Sequence, residues 1–92
     1  MDKILNKIRA SIEGPMQEMN IMITNIEYVE EGTYNFLRIE LDKASGLDLD
    51  TIVEATNVIN PIIDELDLID DSYILDIISK VNAVNKVPPK TV

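Results

Sequence analysis

The chain has 92 residues, 46% of them hydrophobic, and carries a formal net charge of −9 without a single cysteine or histidine. That length makes one domain. The missing residue types exclude disulfides, thiolate or imidazole metal sites and histidine-based proton relays. Residues 1–79 hold all 17 acids and five of the eight bases, a net charge of −12, while residues 80–92 add three lysines. A body this acidic repels a nucleic-acid backbone, whose binding needs lysine and arginine, and attracts basic protein surfaces. Such a balance also serves plain solubility.

Residues 2–19 predict a helix, because Ile4, Leu5, Ile8, Ile12, Met16 and Met19 recur mostly at spacings of three and four. Asp2 suits an N-cap or the first turn, where the helix dipole favours an anion. Gly14-Pro15 interrupts the pattern, and proline lacks an amide donor, so a kink or break is expected there. Residues 21–30, "IMITNIEYVE", then alternate, with Thr24, Ile26 and Tyr28 on one side and Asn25, Glu27 and Val29 on the other. That is a strand. "EEGT" (Glu30 to Thr33) reads as a turn, with Gly32 free to take a positive φ. Residues 34–42 alternate again, Leu37, Ile39 and Leu41 facing one way and Phe36, Arg38, Glu40 and Asp42 the other. The short connection makes the two strands an antiparallel hairpin.

"KASG" (Lys43 to Gly46) leads to a second helix, with Asp48 as its N-cap and Asp50 in the first turn. Leu49, Ile52, Val53, Thr56, Ile59, Ile63 and Leu66 are its expected buried face, and Pro61 predicts a kink or restart near Asn60. Residues 67–72 read as a loop, and "YILDII" (Tyr73 to Ile78) as a third strand with Tyr73, Leu75 and Ile77 inward and Asp76 outward. Residues 81–92, "VNAVNKVPPKTV", read as tail or linker, since Pro88-Pro89 prevents regular ladder bonding. The order helix, strand, strand, helix, strand predicts a two-layer α+β domain over residues 1–80, with both helices on one face of a three-stranded sheet. No long apolar run marks a secretory signal or a membrane span, which fits a soluble cytoplasmic protein.

Few residues invite chemistry. Asp42, Asp48 and Asp50 lie close together, but counting a calcium loop from Asp42 puts Ala44, Gly46 and Val53 at its third, fifth and twelfth positions. None of these supplies a ligating side chain. Helix capping accounts for Asp48 and Asp50. Asp64/Glu65 and Asp70/Asp71 sit in polar stretches that leave them solvated rather than perturbed into acid–base work. The serines 11, 45, 72 and 79 have no nucleophile-elbow context, and Gly14, Gly32 and Gly46 are too isolated for a phosphate loop or the paired-glycine clamp of KH-type RNA binders. An enzyme is therefore not expected. Arg38, near Phe36 on the outer sheet face, suits stacking or pairing with RNA, or a cross-strand pair with an acid such as Glu27.

The run "IEYVEEGTYNFLRIELDKASGLDLDTIVEATNVINPIIDEL…YILDI" resembles the N-terminal domain of RimP, the bacterial ribosome maturation factor, over about residues 4–78. The features that carry it are "IEYV" before a glycine turn, "LRIELDK", "GLDLD" opening the second helix, and "YILDI". The resemblance implies a KH-like α-β-β-α-β outline and a non-catalytic role, binding the small ribosomal subunit during assembly without a cofactor. A basic ribosomal protein is the expected partner, with direct RNA contact open. Asp42, Lys43, Gly46 and Asp76 match family patterns and, with Arg38, are the candidate binding positions. RimP-like chains continue the third strand into a Ser-Pro-Gly segment and a β-barrel domain. Here Ser79 is followed by Lys80 and Val81, and no barrel follows within these residues. The rival expectation is an interaction or oligomerisation module unrelated to the ribosome, pairing through an open sheet edge.

Overall fold

The computed structural model describes residues 1–80; the expected tail, 81–92, lies outside the described residues. The elements are α1 (Asp2–Glu18), β1 (Met22–Glu31), β2 (Tyr34–Asp42), α2 (Leu49–Leu66) and β3 (Ile74–Ser79), in the expected α-β-β-α-β order. They form a two-layer α+β fold. The sheet order is β1-β2-β3, with β1 and β2 antiparallel and β2 and β3 parallel. A two-residue turn joins the hairpin, with Gly32 at φ 65°. The parallel pair instead needs a crossover, and α2 supplies it.

Both helices seal one face of this mixed sheet. Leu37, Ile39 and Leu41 project from β2 into the core and are fully buried. Ile8, Ile12 and Met16 of α1 and Ala55, Ile59 and Ile63 of α2 meet them from above. Each of these triads recurs at four-residue spacing, so it stays on one side of its helix. Two chain reversals fix the helix ends. Asn20 at φ 62° follows α1, where Ile21 N donates to Met16 O (2.8 Å). Asp67 at φ 47° closes α2, where its N–H donates to Ile63 O (3.1 Å).

Three expectations need correction. Of the kink or break expected at Pro15 and the kink or restart expected near Asn60, the break and the restart do not occur: α1 runs through Pro15 and α2 through Pro61. Proline at 61 takes the donor from the Asn57 carbonyl, yet both residues are exposed, so water reaches the freed group. Leu49 and Val53 are not buried but 73% and 50% exposed, and Ala55 takes the core position instead. The apolar residues of the first turns of α2 spread around the helix, and the face turned to the sheet runs through 55, 59 and 63. Finally, β1 does not alternate throughout. A bulge at Thr24 separates the pairs Ile23↔Leu41 and Asn25↔Glu40. Ile23 and Ile26 therefore both face the core beside Leu41 and Ile39 across a three-residue step.

The bulge is held from two sides. Arg9 Nη2 donates to Ile23 O (2.7 Å) from α1. Thr24 Oγ1 donates to Glu40 O (3.1 Å) and to Glu40 Oε1 (2.8 Å).

Candidate interaction face

The second face of the sheet carries no covering element among the described residues. Strand pairing lays its side chains out in transverse rows, because paired residues in either kind of ladder project to the same side. One row is apolar: Val29, Phe36 and Ile74. The next is charged: Glu27, Arg38 and Asp76. A third holds Asn25, Glu40 and Ile78. Tyr34 and Glu31 flank the apolar row at the hairpin end, and Met22 and Asp42 lie at the opposite end.

Arg38 is the centre of this face. Its Nε donates to Asp76 Oδ2 at 2.9 Å, the short distance of a charge-assisted bond. Its Nη1 lies 3.7 Å from Glu27 Oε2 and 3.6 Å from Glu31 Oε2. The guanidinium also stands 5.6 Å from the centroid of the Phe36 ring, within cation–π range. The hydrogen bond that Arg38 donates to Asp76, with the Asp76 and Glu31 charges, holds the Arg38 guanidinium above its already high ordinary value, against the opposing effect of burial. Glu27 is thus one partner of three, and the closest is Asp76, on a strand 38 residues away in sequence. No local pattern announces that pairing. The β2–α2–β3 crossover was the available signal, since a helix between two strands brings them together in parallel.

The sequence-derived positions fall into two groups. Arg38 and Asp76 meet at the middle of the open face. Asp42, Lys43 and Gly46 lie at the far end of β2 and in the connection to α2. There Asp42 Oδ1 accepts from Lys43 N (2.9 Å), and Gly46 N donates to Lys43 O (2.9 Å). Gly46 has φ 96°, a left-handed conformation that disfavours any residue with a Cβ. The turn itself therefore accounts for the glycine. Asp48, next along, caps α2 by accepting from Thr51 N (2.8 Å) and Thr51 Oγ1 (2.6 Å). Those bonds hold its carboxyl below the usual aspartate range.

Among the described residues, three open depressions measure about 330, 350 and 470 Å³. The last is lined by Asp64, Asp71 and Tyr73, where burial and then the Asp64 and Asp67 charges push the Tyr73 phenol up. Among the described residues no three acids converge to hold a metal ion, and no helix is long and apolar enough to cross a membrane.

One comparison assigns the fold to a lineage. The family model of the RimP N-terminal domain matches residues 11–80, from the second half of α1 to the end of β3. That match spans most of the chain and every element of the sheet, and it agrees with the order of motifs read from the sequence. The chain belongs to the RimP N-terminal domain family, that of a ribosome maturation factor.

Proposed function

We propose that this domain serves ribosome maturation by docking, without catalysis, on the small ribosomal subunit in the cytoplasm, with a basic ribosomal protein as its immediate partner. Family membership over residues 11–80 is the observation that carries this reading. The charge supports the choice of partner. A net charge of −9 repels an RNA backbone and draws in cationic protein, raising the encounter rate at low salt. The shallow relief of the described surface suits docking better than turnover of a small substrate, which calls for a pocket with converging polar groups.

Sedimentation with purified free small subunits, at low and at moderate salt, tests the reading. The chain is expected to co-migrate with the subunits, less so as salt rises, because screening weakens charge attraction. Absence from the subunit fraction at both salts would reject subunit binding by this chain.

A further inference from the structure

The open sheet face combines two features that are seldom left together on a free surface. It exposes an apolar row, and it surrounds that row with uncompensated negative charge. Ile74 and Tyr34 are 44% and 62% exposed, Met22 is 55% exposed, and Val29, Phe36 and Ile78 are half-buried. A sheet in a two-layer fold hides one face, and the other face is normally polar. Here six of its thirteen residues, Met22, Val29, Tyr34, Phe36, Ile74 and Ile78, are apolar or aromatic, which marks it as a surface with something to cover.

Charge decides what covers it. Glu27, Glu31, Glu40, Asp42 and Asp76 share the face with Arg38, which leaves four negative charges. Arg38 itself is engaged by three carboxylates at once. A second copy of the chain would set two such faces against each other, like charge on like. RNA would bring phosphates to carboxylates, and the aromatic ring that a base would stack on, Phe36, already has the Arg38 guanidinium beside it. We infer that the uncovered face of the β1-β2-β3 sheet is a docking surface for a cationic polypeptide segment, one that sets apolar side chains on the Val29–Phe36–Ile74 row and lysines or arginines on Glu27, Glu31 and Asp76. The inference rests on the proposed function only for the partner's origin in the small subunit; the surface itself follows from the rows.

The rows also set the partner's pattern. Adjacent rows on one face are two residues apart along the strand, roughly 7 Å. An extended segment running along the strands would present alternate side chains to the face at that same interval. It would meet an apolar row and a charged row in succession. A peptide alternating lysine and leucine separates those two residue types onto opposite faces, so the matching probe repeats Leu-x-Lys-x, with x serine.

The test is a titration of the isotopically labelled full chain with that synthetic peptide, read by amide chemical shifts. The shifts are expected to cluster at Val29, Phe36, Arg38, Ile74 and Asp76, and the affinity to fall about tenfold in Glu27→Lys/Glu31→Lys, since reversed charges turn attraction into repulsion. Glu27→Gln/Glu31→Gln, which only removes charge, is expected to give a smaller loss and covers the case in which lysines beside Arg38 disturb the fold. Ile74→Ser tests the apolar row independently and is expected to weaken binding with no change in its salt dependence. Shifts that map to α1 or α2, no binding of the peptide, or binding that both charge variants leave unchanged would overturn the surface. So would polyuridine shifting the same amides more strongly than the peptide, or a dimer by light scattering that the charge variants dissolve. Running the charge variants in the sedimentation assay separates the two readings. Subunits that retain wild type and variants equally leave the ribosomal role standing and remove this face as the site of subunit contact. Peptide binding at the face by a chain that never co-migrates with subunits does the reverse.

Discussion

Neighbouring residues of β2 live in opposite surroundings. Leu37, Ile39 and Leu41 have no solvent exposure, while Phe36, Arg38 and Glu40 between them remain partly open. The strand, its ladder bonds and its twist are common to both sets. What differs is the second layer: helices lie over one side and no described element over the other. Side chains on the inner side are fixed by packing from all directions. Those on the outer side are fixed by pairwise contacts, chiefly around Arg38, so the two faces respond to substitution by different mechanisms and by different amounts.

The largest effect belongs to the inner face. Ile39 sits opposite Ile26 and beside Ile77, under both helices. Ile39→Ala removes three buried carbons and opens a cavity, and is expected to cost about 2–5 kcal/mol, a large share of what a domain this size commands. Urea denaturation measures it. A loss below about 1 kcal/mol would mean that the helices are not packed on this face as described.

On the outer face Arg38→Ala is expected to cost less, about 1–3 kcal/mol, and in a different way. The Arg38 side chain is 24% exposed and those of its acidic partners more so, so part of each attraction is screened by water. Removing it leaves Glu27, Glu31 and Asp76 facing one another without a cation. Added salt should therefore restore part of the loss in Arg38→Ala but none of the loss in Ile39→Ala, since mobile ions screen exposed charge and do not fill cavities. Equal salt responses in the two variants would erase the distinction between the faces.

This contrast was only half visible in the sequence. The inner set of β2 followed from alternation, and the capping role of Asp48 followed from its place before an apolar run. Both are local matters. The stripe of α2 was read one face too wide, because Leu49, Ile52 and Val53 leave several helical faces apolar and only the sheet's position selects among them. Ala55, fully buried, drew no attention because a small side chain gives little periodic signal. The break offered at Pro15 and the restart offered at Pro61 did not occur, and at Pro61 the residue losing its donor, Asn57, is exposed. The outer cluster was least legible. Arg38 and Asp76 were each singled out, but their bond depends on the register between β2 and β3, which no motif encodes.

The smallest effect is expected where the two faces exchange register, at the Thr24 bulge. Its single hydroxyl proton is shared between the Glu40 carbonyl and the Glu40 carboxylate. Thr24→Val keeps the shape and the β-branch, and so keeps the strand preference, but removes the donor. The expected loss is about 0.5–1.5 kcal/mol, the net worth of one partly buried hydrogen bond. Glu40→Ala removes the side-chain acceptor and leaves the backbone carbonyl, so a double-mutant cycle of the two isolates what the hydroxyl gives to the side chain from what it gives to the backbone. A coupling near zero would assign the bulge to the backbone acceptor and to Arg9 on the Ile23 carbonyl. A coupling close to the full loss would make Glu40 the clasp, and would tie an outward carboxylate of the open face directly to the register that sends Ile23 and Ile26 into the core.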